Sequence, residues 1–189
     1  MNSHISTVNP QGPVQLPARS FDSILLAGDR TRNDPLHSHS GTTSKALAPI
    51  NGMPMIHHVI HALRSAETIG SINLCGPDQA NMERDATLVQ WIHEGLLTWQ
   101  PPQASPSRST YRMLSTMPED RPTMVTTADH PLLSSEIIER FCQAASTTTH
   151  DVVVGMTPHG IVRSSYPDIR KTVLRFSDDD YCGCNLFAF

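Results

Sequence analysis

A chain of 189 residues is long enough for one domain with a substantial core, and two domains would be cramped. Hydrophobic residues make up 38% of the chain and aromatic residues 5%, so the core is expected to be aliphatic. Fourteen basic and eighteen acidic side chains give a formal net charge of −4 without a basic tract, which argues against a nucleic-acid binder. No apolar run approaches the roughly 20 residues that span a bilayer, so no membrane partner is expected.

The two ends of the chain have distinct patterns. Residues 1–20 lack the charged start and apolar core of a signal peptide and are predicted to be a disordered leader before a domain at 21–189. The last apolar strand ends at Phe189 with nothing to cover it, so the domain is expected to be truncated there. The four cysteines lack zinc-site spacing, and Cys182 and Cys184 stand too close for a relaxed disulfide; reduced thiols and a cytoplasmic location are expected.

The first predicted elements are a buried strand and an amphipathic helix. The apolar run "DSILLAG" is typical of a buried parallel strand. A long polar segment follows it, and such loops inside compact domains are usually functional. Next comes a helix, "PMIHHVIHALRSA", whose apolar stripe consists of Met55, Ile56, Val59, Ile60 and Leu63.

The rest of the chain alternates predicted strands and helices. In chain order these are a strand "GSINLCGP", a helix "MERDATLVQWIHEG", a strand "LLTWQ", a helix "STYRMLSTM", a strand at 123–127, a helix at 134–145, and strands "HDVVVGM", "KTVLRF" and "GCNLFAF". This alternation indicates βαβ units and a mostly parallel sheet. The last two strands, joined by the turn signal "SDDD", predict a hairpin added at one side of the sheet.

Functional residues of a parallel sheet collect just beyond the carboxyl ends of its strands. After the first strand, Gly28 allows the backbone to approach a ligand closely. Arg30, Arg32 and Lys45 follow it, and two guanidiniums and an ammonium would suit a triphosphate. Surface loops often carry such residues without a ligand, so this pattern alone does not decide between the two interpretations.

Two further polar residues stand at predicted strand ends or within a strand. Asp129 follows the strand at 123–127, where a carboxylate could hold Mg²⁺ together with substrate phosphates. An Asp before a helix is also commonly a cap or turn residue. Asn185 offers an amide oxygen for a metal or a sugar hydroxyl, although a hydrogen-bonded strand residue is the simpler interpretation.

Four motifs together resemble the nucleotidyltransferase superfamily. They are "ILLAGDRTRNDPL", "SKALAPINGMPMIHHVIHAL", "VTTADHPLL" and "CGCNLFAF", and the resemblance extends over roughly residues 22–189. The most similar group is the NTP-transferase domains that resemble molybdenum-cofactor guanylyltransferase and sugar-1-phosphate nucleotidylyltransferases. The resemblance implies a Rossmann-like three-layer α/β/α fold with a mostly parallel mixed sheet, of the GT-A-like nucleotide-diphospho-sugar transferase type.

The resemblance also implies an activity and a set of site residues. The activity is transfer of a nucleoside monophosphate from an NTP to a phosphate- or hydroxyl-bearing small-molecule acceptor, with Mg²⁺ as cofactor and release of pyrophosphate. The implied residues are Lys45 and Arg32 for catalysis, Leu26, Ala27, Gly28, Arg30 and Ser107 for nucleotide binding, and Asp129 and Asn185 for the metal.

One departure from the family pattern supports a different function. Asp29 stands where most relatives have a second glycine, and its carboxylate would repel the phosphates unless it pairs with Arg30 or Arg32 or helps to hold the metal. The alternative is therefore a non-catalytic nucleotide-binding or regulatory module. A zinc protein is a further alternative, suggested by His57 and His61, which stand four residues apart on one helix. It is weaker, because no glutamate follows the first His.

Overall fold

The structure, a computed structural model, describes residues 17–29 and 43–189. The strands are β1 (Phe21–Leu26), β2 (Pro49–Ile50), β3 (Met53–Pro54), β4 (Ile69–Cys75), β5 (Thr98–Gln100), β6 (Thr123–Thr127), β7 (Val153–Pro158), β8 (Leu174–Arg175) and β9 (Asp180–Ala188). The helices are α1 (Met55–Ser65), α2 (Gln79–Met82), α3 (Ala86–His93), α4 (Pro106–Leu114), α5 (Ser135–Ser146) and α6 (His159–Ser165), and Lys45–Leu47 forms a 3₁₀ turn. No helix in these ranges is long and apolar enough to cross a bilayer.

Seven strands form one mixed sheet. Its order is β5-β4-β1-β6-β9-β7, and β8 pairs with β9. The pairs among β5, β4, β1 and β6 are parallel, whereas β9 is antiparallel to each of its neighbours. Since β6 and β7 both run opposite to β9, their carboxyl ends lie at the same edge of the sheet. The fold therefore collects the ends of five strands, β1, β4, β5, β6 and β7, along that edge.

Helices cover both faces of the sheet and make three layers. One face packs against α1, α3 and α5, whose buried side chains join the larger hydrophobic cluster. On the opposite face, Met113 of α4 packs with Ile24, Cys75 and Val125 in a smaller cluster. Fully burying an aliphatic side chain contributes about 1.5–3 kcal/mol. The larger cluster is thus the principal source of stability, and it holds the strands whose ends carry the site.

A short hairpin fixes the chain between the 3₁₀ turn and α1. Its strands β2 and β3 are joined by Asn51 and Gly52, which both have positive φ angles, +50° and +82°. Two consecutive left-handed residues make the tight turn that matches the twist of a two-residue hairpin. The Met55 N–H donates to the Ala48 carbonyl, at 2.9 Å, and closes the hairpin onto the start of α1. The turn that contains Lys45 is therefore tied to a buried helix.

Most of the predicted elements are confirmed. The strand at 123–127 has the predicted bounds, the helix at 134–145 is α5 with Ser134 as its N-cap, and all five residues of the predicted α1 stripe are buried. The predicted α/β fold with a mostly parallel sheet is also confirmed. Most of the predicted leader lies outside the described residues.

Three expectations are wrong in detail. The predicted closing hairpin exists as β8 and β9, but β9 lies between β6 and β7 rather than at one side, because its apolar second half pairs with both. The predicted helix "MERDATLVQWIHEG" is interrupted, since Asp85 caps a new helix by accepting from the Leu88 N–H. Helix α6 was not predicted, and none of its residues is buried, so it lacks the apolar stripe that marks a helix in sequence.

Candidate active site at the carboxyl edge of the sheet

The ends of four strands are held level by hydrogen bonds that continue past the strands. The Gly76 N–H donates to the Gln100 carbonyl (2.9 Å), the Ala27 N–H to the Cys75 carbonyl (2.8 Å), and the Ala128 N–H to the Leu26 carbonyl (2.8 Å). These bonds place the residues after β1 and β6 side by side at one edge. The Leu-Ala-Gly motif and Asp129, far apart in sequence, therefore lie next to each other.

A cleft of about 580 Å³ opens at this edge. The loop after β1, the 3₁₀ turn, the start of α4 and the end of β6 all contribute to its walls, which include the predicted residues Leu26, Ala27, Gly28, Lys45, Asp129 and Asn185. A cleft of this volume lies within the range of small-molecule and cofactor sites. The structure thus brings six of the nine predicted site residues to one cavity.

The remaining three predicted residues, Arg30, Arg32 and Ser107, are not among the described residues that line the cleft. Arg30 and Arg32 lie outside the described residues. Ser107 is on α4 and is not among the residues found to line the described cleft; its hydroxyl is 3.2 Å from that of Ser105, which does line it. The Ser105 hydroxyl also accepts from the Arg108 N–H and so caps α4.

Lys45 and Asp129 form the central contact of the cleft. Lys45 Nζ lies 2.7 Å from Asp129 Oδ2, and both side chains are about one third exposed, at 34% and 36%. The other oxygen, Oδ1, accepts from the Thr127 hydroxyl at 2.6 Å. Burial by itself would raise the pKa of Asp129, but the hydrogen bonds from Lys45 and Thr127 and the Lys45 charge outweigh it and hold that pKa below its usual value. Asp129 is therefore ionised at neutral pH.

The Asp29 carboxylate is hydrogen-bonded to the main chain of the same lysine. Asp29 Oδ1 accepts from the Lys45 N–H at 2.8 Å, across 16 residues of sequence. The carboxylate thus ties the loop after β1 to the first residue of the 3₁₀ turn. The sequence suggested Arg30, Arg32 or a metal as partners of Asp29, and nothing in the pattern showed that the Lys45 backbone would also return to it.

Asn185 reaches the cleft through an unusual backbone conformation. Its φ angle is +54°, in the left-handed region that Asn tolerates better than most residues. Asn185 lies in the part of β9 where the pairing with β7 shifts register, and it lines the cleft together with Thr127 and Asp129. The prediction of Asn185 as a site residue is thus compatible with its position.

Gly76 is a site-forming residue that sequence reasoning missed. It has φ +86°, and a Cβ atom built on it would lie 2.8 Å from the Ala27 carbonyl carbon and 2.9 Å from the Gly28 nitrogen. Only glycine lets the end of β4 pack this closely on the loop after β1. The signal was present as Gly76-Pro77 directly after a predicted strand, where glycine marks a close backbone approach.

The two candidate metal ligands on the wall of the cleft, Asp129 and Asn185, would offer oxygen atoms. Within residues 17–29 and 43–189, no group of three or more His, Cys, Asp or Glu side chains is arranged to hold a metal ion. His57, one of the two residues of the zinc alternative, instead lies 2.9 Å from Asp85 Oδ2 and packs against Trp91, as does His61. One carboxylate and one amide oxygen on the wall of one cleft fit Mg²⁺, which takes few protein ligands and completes its shell with substrate oxygens and water.

The fold and this cleft define a class: an open, mixed α/β sheet with a ligand cleft at the carboxyl ends of its parallel strands. Residues 23–171 match the model of the MobA-like NTP transferase domain. The chain belongs to this family, as the sequence resemblance predicted.

Comparisons with individual proteins agree with the family. The chain is 26% identical over 127 residues to the bifunctional protein GlmU of Acinetobacter baylyi, a match that covers 66% of this chain but only 25% of that protein. A hypothetical transferase from Thermus thermophilus has a similar structure (TM-score 0.65, 24% identity, 89% of this chain and 64% of the other). The 4-diphosphocytidyl-2C-methyl-D-erythritol synthase of Anaerococcus prevotii is also similar (TM-score 0.62, 11% identity, 90% and 70%). These two structural likenesses support the fold.

Proposed function

We propose that this chain transfers a nucleoside monophosphate from an NTP to a phosphate- or hydroxyl-bearing small-molecule acceptor and releases pyrophosphate. The observation that supports it best is the Lys45–Asp129 contact at 2.7 Å inside a cleft bounded by the Leu26–Gly28 loop. A lysine and a carboxylate so placed offer a cation for the phosphates and an anion for Mg²⁺. The matching family is named for NTP transfer, and the two structural neighbours are named as a transferase and a synthase.

The reaction needs one bond made and one broken. An acceptor oxygen attacks the α-phosphorus in line, and the bond from that phosphorus to the pyrophosphate oxygen breaks. A phosphate acceptor is already anionic and loses no proton, whereas a hydroxyl acceptor must give one up. The protein would act by holding the groups in line and by offsetting negative charge.

The six predicted residues that line the cleft have the following roles in this proposal. The backbone of Leu26, Ala27 and Gly28 would lie along the phosphates, and Lys45 would neutralise them. Asp129 and Asn185 would hold Mg²⁺, which when bound would offset charge on the triphosphate oxygens. Arg30 and Arg32 remain predicted phosphate ligands.

A phosphate oxygen that contacts Lys45 would compete with Asp129 for the charge of its ammonium group. In the structure, both Asp129 oxygens already have partners, Lys45 and Thr127. Departure of Lys45 Nζ toward the phosphates would release Oδ2 for a cation. NTP and metal are therefore expected to bind together more strongly than either binds alone.

The non-catalytic alternative depended on Asp29. Its carboxylate accepts a hydrogen bond from the Lys45 main chain, so it has a constructive role beside the phosphate loop. This contact favours an enzyme over a non-catalytic module, because it fixes the main chain of Lys45, the residue that would neutralise the phosphates.

Calorimetric titration with each of the four NTPs tests the proposal, with Mg²⁺ and with EDTA. We expect metal-dependent binding of one preferred NTP, lost in Asp129→Asn and kept in Asp120→Asn, an exposed carboxylate in the loop before β6. Incubation of that NTP with sugar phosphates, phospho-alcohols and pterin phosphates should then release pyrophosphate with one class. No binding of any NTP by the folded wild-type chain would contradict the proposal.

A further inference from the structure

A second cavity, of about 380 Å³, lies between α6 and the segment that follows it. We call it the basic pocket, and the lining residues relevant here are His159, Val162, Arg163, Ile169, Arg170 and Lys171. Three permanent cations and a titratable imidazole therefore surround one small volume. Val162 and Ile169 add apolar surface to its wall.

The cations of the basic pocket form no ion pair with a described acidic residue, although Asp168 stands in the segment that lines the pocket. Within residues 17–29 and 43–189, the ion pairs found are Lys45 with Asp129, His57 with Asp85, and Arg121 with Asp22. Arg163, Arg170 and Lys171 take part in none of these. Like charges gathered without a counter-charge repel one another, and a bound anion relieves that repulsion.

The basic pocket lies at the same edge of the sheet as the candidate active site. Strand β7 runs parallel to β6, ends at Pro158 and leads directly into α6, which begins at His159. Helix α6 also contacts β9, the strand that carries Asn185 on the wall of the cleft. The pocket and the cleft therefore open at the same edge of the sheet and are linked through β9.

We propose that the basic pocket binds a phosphate group of the acceptor, separate from the triphosphate of the donor. This inference rests on the proposed function and names a chemical feature of its second substrate. Arg163 and Arg170 would each offer a planar fork of N–H donors to phosphate oxygens, and Lys171 a point charge. Val162 and Ile169 would contact the organic part next to that phosphate.

Two-dimensional NMR of the ¹⁵N-labelled chain tests the inference with phenyl phosphate, inorganic phosphate and phenol as probes. Phenyl phosphate is expected to shift the Gly160 and Ile169 amides saturably, and phenol to leave them unmoved. Phenyl phosphate should bind about 5-fold more tightly than inorganic phosphate, because its ring buries apolar surface against Val162 and Ile169. Equal affinity for the two phosphates would overturn the assignment to an acceptor and indicate a site for free phosphate.

Paired variants provide the control. The double variant Arg163→Gln/Arg170→Gln should weaken phenyl phosphate binding by about 10-fold or more, since two charge-assisted contacts are lost. Arg112→Gln/Arg140→Gln removes the same charge from exposed positions on α4 and α5 and should leave the binding unchanged. Unchanged binding in the first pair, or equal loss in both, would overturn the inference.

An NTP titration of the same samples separates this inference from the proposed function. Mg²⁺ and the preferred NTP should shift the Gly28 and Ala128 amides of the cleft equally in the wild type and in Arg163→Gln/Arg170→Gln. If the cleft amides never respond while the Gly160 amide responds to phosphate, the proposed function fails and the phosphate site remains. If the cleft responds but Gly160 does not, the inference fails alone.

Discussion

Lys45 Nζ and Asp129 Oδ2 are 2.7 Å apart although 84 residues separate them in the chain. The contact joins the 3₁₀ turn after the long polar segment to the residue that follows β6. A second bond, from the Lys45 N–H to Asp29, secures the main chain of the same lysine. Lys45 thus links the loop after β1 to Asp129, the candidate metal ligand.

Replacing Lys45 by Met is expected to change two affinities in opposite directions. NTP binding should weaken by about 10-fold or more, because a charged hydrogen bond contributes about 1.5–3 kcal/mol. Affinity for Mn²⁺ alone should rise, because Asp129 Oδ2 loses its competing cation. Calorimetry measures the first and electron paramagnetic resonance of Mn²⁺ the second. Arg140→Met, which removes an exposed cation from α5, is the control, and a parallel fall in both affinities would contradict the competition.

Asp29 should act through the hydrogen bond that it accepts and not through its charge. Asp29→Asn keeps an oxygen acceptor for the Lys45 N–H, whereas Asp29→Ala removes it. We expect the Ala variant to bind NTP about 2- to 10-fold more weakly, since a hydrogen bond contributes about 0.5–1.5 kcal/mol. The Asn variant should bind as well as the wild type or better, because a negative charge near the phosphates is gone. Weaker binding by the Asn variant would assign a role to the charge itself.

Gly76→Ala is expected to disturb the loop after β1, which contains Ala27 and Gly28. The added Cβ would stand 2.8 Å from the Ala27 carbonyl carbon, and φ +86° adds strain. We expect a loss of stability of about 2–3 kcal/mol, from overpacking and the left-handed backbone together, and a clear loss of NTP affinity. Gly95→Ala is the matched control, because Gly95 has φ +70° and nothing within 4 Å of the added atom. Thermal unfolding and NTP titration of both variants separate the steric effect from the backbone strain.

Asn185 can be tested without changing its backbone. Asn185→Gly tolerates φ +54° and removes the whole side chain with its amide, so it adds no backbone strain. If the amide oxygen is a metal ligand, the affinity for NTP with Mg²⁺ should fall by about 10-fold, and binding in EDTA should be unaffected. Asn185→Ala should show the same loss of affinity together with a lower Tm. Unchanged metal-dependent binding in Asn185→Gly would leave Asn185 a backbone residue only.

The buried pair of His57 and Asp85 should make stability depend on pH. Burial by itself raises the pKa of Asp85, but the hydrogen bond from His57 and the other favourable contacts outweigh it, so the pKa in the folded state is lowered. Its contribution is therefore present above the unfolded-state pKa and is lost as the pH falls through the folded-state value. Asp85→Ala should cost about 2–4 kcal/mol at neutral pH, because the buried His57 imidazole loses its partner and a helix cap is lost.

Chemical denaturation of wild type and Asp85→Ala across the acid range measures that dependence. The difference between them should shrink as the pH falls. Asp78→Ala, which removes the cap of α2 but no buried ion pair, should cost only about 1 kcal/mol. A difference for Asp85→Ala that is the same at every pH would show that packing and capping, and not ionisation, account for the loss.

The sequence by itself determined the class of fold and predicted six residues that line the candidate site. Hydrophobic periodicity and composition define β1, β6, α1 and α5. A strand buried on both faces is a continuous aliphatic run, and a helix with one apolar stripe has a regular spacing, so both can be recognised in the sequence alone. Strand ends meet at one edge of a parallel sheet, so Gly28 and Asp129 could be placed together from the order of elements alone.

Only the tertiary structure decided how that edge is assembled. Strand β9 lies between β6 and β7, and the sequences of β6 and β7 would each permit other neighbours. No local signal distinguishes an inner strand from an edge strand of this length. Asp29 and Gly76 owe their roles to backbone atoms of Lys45 and Ala27, which leave no mark in the amino-acid pattern. Hydrophobic periodicity is a local property and can be read along the chain, whereas contacts between backbone and distant side chains exist only once the chain has folded.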